Sequence, residues 1–159
     1  CVVVQNMNRM KNSLVLCDWS IFPANTGVLT ERHQGDVDIE RRLYNAVMGT
    51  DITRQEYQRM GERIYMLERA IMAREGRRRV DDTVYEYNFR VPETSCAAWE
   101  PVRNPPPIAK REELEEMLDL FYEERGMDLK TGLPTRERLE ALDMKDVADA
   151  LCSYGVEIH

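Results

Sequence analysis

The sequence predicts an all-α fold: a single multi-helical domain over residues 1–159, with orthogonal or bundle-like packing and an extended proline-rich arm. Apolar residues recur at steps of three and four in several segments, and capping or turn residues separate those segments. Five prolines within residues 92–107 favour an extended connection instead of a helix. Hydrophobic residues make up 43% of the chain, which is enough for a buried core.

The first predicted helix lies within residues 1–22 and ends before Pro23. Its apolar positions are Val3, Met7, Met10, Leu14 and Cys17. Residues 23–35 contain proline, asparagine and glycine and are predicted to form a loop. His33 in this loop is interpreted as a surface side chain, because no partner for a metal site lies near it in sequence.

A second, shorter helix is predicted after this loop. Asp36 or Asp38 serves as its N-cap, and the helix ends near Gly49. Its apolar face consists of Ile39, Leu43, Ala46 and Val47.

The third predicted helix has the clearest boundaries. Thr53 and Glu56 have the spacing of a capping box, and Gly76 is placed for a left-handed C-terminal cap, which gives a helix of about twenty residues. The opposite face is charged and includes Arg69. The apolar face should consist of Tyr57, Met60, Ile64, Leu67 and Ile71.

The basic run at residues 77–79 is followed directly by Asp81 and Asp82. These acids are able to neutralise the arginines locally, so a solvated or internally paired turn is favoured over an anion site. Residues 83–91 are rich in valine and aromatic residues, which indicates a short strand or an extended arm.

Helical spacing returns at residues 111–125, with the aromatic pair Phe121 and Tyr122 predicted in the core and Gly126 as the cap. Residues 131–135 form a turn that provides the N-cap of the next helix. The remaining two predicted helices carry the apolar residues Leu139, Leu142, Met144, Val147, Ala148 and Leu151.

Composition excludes several classes of function. The formal net charge of −7 disfavours nucleic acid or an anionic membrane surface as the main partner, and no apolar run approaches the ~20 residues of a membrane span. The four cysteines form no CxxC pair, and reduced thiols in a cytoplasm are favoured over disulfides. Because the sequence begins at Cys1 without a methionine, we expect it to be a fragment of a longer polypeptide.

The residues alone do not provide a complete catalytic or metal-binding set. Adjacent acids on helical segments are expected surface features in a chain with 32% charged residues. Cys17 has two interpretations. Its apolar neighbours favour a small buried hydrophobic side chain, whereas the alternative is a thiolate ligand with Asn12 and Asp18 as hydrogen-bonding neighbours.

Three stretches together resemble the C-terminal part of the aldehyde ferredoxin oxidoreductase family, the tungsten- or molybdenum-pterin enzymes of anaerobes. The first runs from Gly49-Thr50-Asp51 through residues 61–82, and the second covers residues 121–135 with Leu139. The third is residues 12–17, where the family pattern Asp-x-x-Gly-Leu-Cys is matched at Leu16 and Cys17.

This resemblance implies that Cys17 is the fourth ligand of a 4Fe-4S cluster, whose other three ligands come from an upstream motif that this chain lacks. It also implies that Asn12, Leu16 and Asp18 are pterin contacts or neighbours of the cluster ligand. Two residues depart from the family pattern. Asn12 replaces an aspartate, and Val15 replaces a glycine, which removes an easily accessible positive φ.

As part of a larger enzyme, the chain is therefore expected to serve aldehyde oxidation, relaying electrons between a tungsten-bis-pterin and ferredoxin or an electron-transfer subunit. The expected partners are the upstream domains of the same polypeptide, and a homodimer is left open. A reductive relative similar to benzoyl-CoA reductase and a cofactor-free helical scaffold are the alternatives. The isolated chain should hold no cluster and show no activity, since one thiolate cannot retain the cluster.

Overall fold

The computed structural model describes residues 1–21, 27, 34–92 and 108–159. Within these ranges the chain forms helices, turns and one isolated β-bridge, so the predicted all-α class is confirmed. The main helices are α1 (Val2–Ser13), α2 (Ile39–Met48), α3 (Arg54–Arg74), α4 (Arg111–Arg125), α5 (Arg136–Ala141) and α6 (Lys145–Ser153). None of the described helices is long and apolar enough to cross a membrane.

Helix α1 is shorter than predicted. It ends at Ser13, and a separate helical turn covers residues 18–21, so the prediction of one helix up to Pro23 is wrong. The helix packs against α3 and α4, and it buries Asn6, Met10 and Lys11. Because two of these three residues are polar, an apolar stripe was an incomplete guide to its buried face.

Helix α2 has the predicted boundaries but not the predicted burial. It follows Asp38 and ends at Gly49, whose φ of 65° provides the left-handed cap. Leu43, Ala46 and Val47 are exposed, and Val47 reaches 82%. The described residues therefore leave much of this apolar face exposed, although Ile39 is half-buried.

Helix α3 is the central element of the fold. The capping box of Thr53 and Glu56 is present as predicted, and Gly76 adopts a φ of 100°. The predicted apolar face is only partly correct, because Leu67 and Ile71 are exposed. The buried positions are instead Tyr57, Gly61, Tyr65, Met66, Arg69, Ala70 and Ala73. This helix thus contacts α1 and the C-terminal helices with a broad surface rather than one stripe.

The C-terminal third of the chain agrees closely with the helices predicted from the sequence. Helix α4 has the predicted bounds and ends at Gly126, with a φ of 62°. Thr135 caps α5 by accepting from the Arg138 N–H at 3.1 Å. Helices α3 to α6 enclose the main hydrophobic core, which includes Met66, Tyr122, Leu139, Leu142, Ala148 and Leu151.

The connection between α3 and α4 contains two short 3₁₀ helices, Arg79–Asp81 and Glu86–Phe89. Residues 83–91 therefore contain no strand. Of the two alternatives predicted for this segment, a short strand or an extended arm, the strand is wrong. The predicted local pairing of the basic run is confirmed for Arg77, which pairs with Asp82. Arg79 instead pairs with Glu115 and Asp119 on α4, so its partners lie outside the turn. His33, Cys96 and most of the predicted proline-rich arm lie outside the described residues.

Candidate functional site

Cys17 lies in the exposed turn between α1 and the helical turn at residues 18–21. Its carbonyl accepts hydrogen bonds from the N–H groups of Ser20 and Ile21, each at 3.1 Å, and from Ser20 Oγ at 2.9 Å. The backbone of Cys17 is therefore fixed while its side chain is an exposed free thiol. The interpretation of Cys17 as a small buried hydrophobic residue is wrong.

The turn before Cys17 has the hydrogen-bond pattern of a Schellman motif. The Leu16 N–H donates to the Lys11 carbonyl at 3.0 Å, and the Val15 N–H donates to the Asn12 carbonyl at 3.1 Å. This motif places one residue in the left-handed region, and here that residue is Val15, with a φ of 55°. A β-branched side chain is strained in this conformation.

The other helices end with residues better suited to positive φ. Asp143 occupies the left-handed position after α5, with a φ of 56°, and aspartate tolerates this region better than valine. The other four ends use Gly49, Gly76, Gly126 and Gly155. Among the described helix ends, the one beside Cys17 is thus closed by the least suitable residue.

We predict that Val15→Gly stabilises the protein by about 1 kcal/mol, because it removes the left-handed strain. The valine side chain is 89% exposed, so little packing is lost. Chemical unfolding of the intact protein measures the change. Val47→Gly, at an 82% exposed position within α2, is the control and should destabilise by about 0.5–1 kcal/mol. Destabilisation by both substitutions would contradict the strain at Val15.

The other predicted site residues lie in the same turn with different surroundings. Asn12 is exposed on the last turn of α1, and Leu16 is half-buried. The Asp18 carboxylate is exposed and forms an ion pair with Lys11. The Lys11 side chain is mostly buried, and its Nζ also donates to Asn8 Oδ1 at 2.9 Å. The four predicted residues thus lie in one short segment that runs from the last turn of α1 to the next helical turn, and Asp18 is paired with Lys11.

The described residues do not provide a complete metal site around Cys17. No three or more histidine, cysteine or acidic side chains in these ranges are grouped closely enough to hold a metal ion. Cys1 and Cys152 are also exposed and free, and Cys152 Sγ accepts from Arg136 Nη2 at 3.4 Å. Any metal centre at Cys17 thus requires further ligands from outside the described residues.

Arg125 is a buried cation that the sequence patterns did not indicate. Its side chain is fully buried, and Nη1 and Nη2 donate to Asn6 Oδ1 at 2.6 Å and to Gln5 Oε1 at 2.7 Å on α1. The guanidinium carbon lies 4.0 Å from the centroid of the Tyr65 ring. Burial lowers the pKa of Arg125. The position of Arg125 in the sequence could have indicated this burial, because Arg125 follows the predicted core pair of α4 and directly precedes the cap Gly126.

A second buried polar cluster joins α3, the connection after it and α4. The Asp82 carboxylate accepts from both terminal nitrogens of Arg69, from Arg77 Nε at 2.8 Å and from the Tyr122 hydroxyl at 2.5 Å. Arg69 Nε also donates to the Gly132 carbonyl at 2.9 Å. Burial acts to raise the pKa of Asp82, but the hydrogen bonds from Arg69, Tyr122 and Arg77 outweigh it, and the pKa is lowered. The pKa of Tyr122 is raised by burial and by the adjacent Asp82 carboxylate.

Among solved structures, the chain is similar to the active-site complex BamBC of benzoyl-coenzyme A reductase in complex with 1,5-dienoyl-CoA. The sequence identity is 25% and the TM-score is 0.49. The match covers 69% of this chain and 14% of that solved chain, so the present sequence spans a small part of that relative's length.

The sequence model of a protein family gives a more extensive match. Residues 1–144 match the family described as aldehyde ferredoxin oxidoreductase, domains 2 and 3. The matched region contains Cys17, the turn that presents it, and helices α1 to α5 with the buried side chains that join them. The chain therefore belongs to the aldehyde ferredoxin oxidoreductase family, in the part that comprises its domains 2 and 3.

Proposed function

We propose that this chain is the helical part of a tungsten- or molybdenum-bis-pterin oxidoreductase and that Cys17 supplies one thiolate to its 4Fe-4S cluster. The observation that carries the proposal is the exposed free thiol of Cys17 on a hydrogen-bonded turn. A cysteine that serves only as core packing would be buried. Family membership supports the oxidoreductase context.

This chain would provide one of the four ligands that such a cluster needs. Cysteine thiolates are the usual ligands of 4Fe-4S clusters, and Cys17 offers one of them. The remaining ligands would come from upstream parts of the polypeptide. When bound, the cluster would pass single electrons between the pterin-bound metal and an acceptor such as ferredoxin or an electron-transfer subunit. The contribution of this chain would be to hold the sulfur in place on the hydrogen-bonded turn.

We assign Asn12, Leu16 and Asp18 to the surroundings of the cluster and the nearby pterin. The exposed amide of Asn12 is able both to donate and to accept a hydrogen bond. Leu16 adds apolar surface, which lowers the local dielectric and influences a cluster's reduction potential. Because Lys11 already holds the Asp18 carboxylate, Asp18 would accept further hydrogen bonds only through its remaining lone pairs.

Oxidation of an aldehyde to a carboxylate is the proposed reaction of the complete enzyme. A reductive reaction on an aromatic thioester is the second candidate, favoured by the two departures at Asn12 and Val15 in the turn assigned to the pterin. Turnover assays of the full-length protein with aldehydes and with aromatic thioesters would separate the two. Turnover of aldehydes alone would exclude the reductive candidate. The exposed free thiols also favour a reducing compartment such as the cytoplasm.

We predict that Cys17→Ser in the full-length protein changes the electron paramagnetic resonance spectrum of the reduced cluster and lowers the iron content by at least one iron per cluster. The reason is that a serine hydroxyl is a far poorer ligand for iron than a thiolate. Iron and sulfide analysis with spectroscopy of the reduced protein measures both effects.

Cys152→Ser is the matched control, because Cys152 is also exposed and free but lies on α6. Its iron content and spectrum should equal those of the unmodified protein. Equal spectra for Cys17→Ser and the unmodified protein would refute Cys17 as a ligand. A full-length protein without iron and tungsten would support the cofactor-free scaffold instead.

A further inference from the structure

Helix α1 crosses α3 at a point of very close backbone approach. A Cβ built on Gly61 of α3 would lie 2.2 Å from the Asn6 carbonyl oxygen and 2.7 Å from the Asn6 carbonyl carbon. Side chains cannot cushion such a contact, so the crossing acts as a fixed pivot for α1. A pivot alone does not prevent rotation of the helix about the contact point.

Arg125 holds the part of α1 that lies N-terminal to this crossing point. Its guanidinium binds the side chains of Asn6 and Gln5 and approaches the Val2 carbonyl at 3.4 Å, so one group contacts two successive turns of α1. These described partners are neutral oxygens. A buried guanidinium held by neutral groups is costly, which argues for a positional role rather than simple ion pairing.

The part of α1 on the C-terminal side of the crossing leads to Cys17. Asn6 and Ser13 are seven residues apart in the helix, which corresponds to a lever of about 10 Å at ~1.5 Å per residue. A tilt of about 10° would therefore displace the end of the helix by about 2 Å, whereas functional groups must be held within about 0.5 Å. The hydrogen bonds of the following turn, from Leu16 to Lys11 and from Val15 to Asn12, then carry this displacement towards Cys17.

We infer that Arg125 is a positioning residue for Cys17: its grip on the first two turns of α1 sets the place of the thiol at the other end of the helix. The inference rests on the proposed role of Cys17 as a cluster ligand. Arg125 does not touch the reacting groups. It acts through the helix, as outer contacts of a metal ligand commonly do.

The test compares Arg125→Met with Arg79→Met in the full-length protein. Arg79 is a suitable control because it is also held by several oxygens and lies 5.3 Å from the Tyr122 ring centroid, yet its hydrogen bonds go to α4 and the turn after it. We expect Arg125→Met to lower the affinity for cluster iron about 10-fold, to alter the spectrum of the reduced cluster and to shift its reduction potential. Arg79→Met should lower the melting temperature without changing the spectrum or the potential. Arg125→Lys, which keeps the charge but cannot fork between two acceptors, should fall between Arg125→Met and the unmodified protein.

Hydrogen exchange of residues 2–17 provides a readout that does not depend on Cys17 being a ligand. Faster hydrogen exchange of these residues in Arg125→Met, with no such change in Arg79→Met, would support the role of Arg125 in holding α1 in place. An unchanged cluster spectrum in Arg125→Met overturns the positioning role if Cys17→Ser does alter that spectrum. If neither substitution alters it, the proposed ligand role of Cys17 is the part that fails.

Discussion

Gly61→Ala is expected to destabilise the protein by about 2 kcal/mol or more and to displace α1 from α3. The added methyl group would overlap the Asn6 backbone at 2.2 Å, and backbone atoms cannot rotate away as a flexible side chain would. The intrinsic helix preference of alanine over glycine, about 1 kcal/mol, opposes this loss but is smaller than the expected overpacking cost. Chemical unfolding and hydrogen exchange of α1 measure the two effects.

Gly49→Ala separates steric overlap from backbone strain. A Cβ at Gly49 meets nothing within 4 Å, but its φ of 65° is unfavourable for alanine. This control should destabilise by about 1 kcal/mol and leave the exchange of α1 unchanged. Equal losses of stability for both variants, with α1 unaffected in each, would show that the close crossing does not constrain the helix.

Asp82→Asn is expected to cost about 3–5 kcal/mol of unfolding free energy at pH 7. The substitution removes the charge that compensates Arg69, whose side chain is 4% exposed, and it disturbs the hydrogen bonds from Tyr122 and Arg77. Asp143→Asn is the matched control, since Asp143 pairs with Arg59 but is 76% exposed. The control should cost less than about 1 kcal/mol. A similar cost for both variants would mean that the Asp82 cluster contributes little to stability.

The same cluster predicts a pH dependence. The pKa of Asp82 is lower in the folded protein than in the unfolded chain, where aspartate titrates near about 3.9. Its contribution is therefore complete above the unfolded pKa and is lost as the pH falls through the folded pKa. The difference in stability between the unmodified protein and Asp82→Asn should stay constant from pH 7 to about 5 and narrow below about 4.

The C-terminal helices could be predicted closely because their signals are local. A capping threonine at Thr135, a glycine at Gly126 and apolar residues at helical spacing fix α4 to α6 with little help from distant contacts. Helix α3 was different. Its boundaries followed from its capping box and glycine, but its buried face also includes Gly61, Tyr65 and Arg69, which were not part of the predicted apolar face.

The end of α1 and the role of Arg125 were beyond local patterns. A glycine is expected where a helix closes with a left-handed residue, so Val15 gives no such signal by itself, and only the family resemblance drew attention to this position. The partners of Arg125 lie about 120 positions away in sequence, so its burial depends entirely on tertiary packing. Cys17 drew attention through its family resemblance, and its exposure could be seen only in the fold.

The valine at the end of α1 also affects the order in which the helix ends melt. When a Schellman turn opens, its hydrogen bonds break, and the only gain is conformational entropy of the chain. At Val15, opening additionally releases backbone strain, which the glycine turns do not store and which the Asp143 turn stores to a smaller extent. The C-terminal turn of α1 should therefore fray on heating before the comparable turns of α3, α4 and α6. Among the described helix ends, the one that leads to Cys17 is thus expected to open first on heating, although its hydrogen bonds are formed in the folded protein.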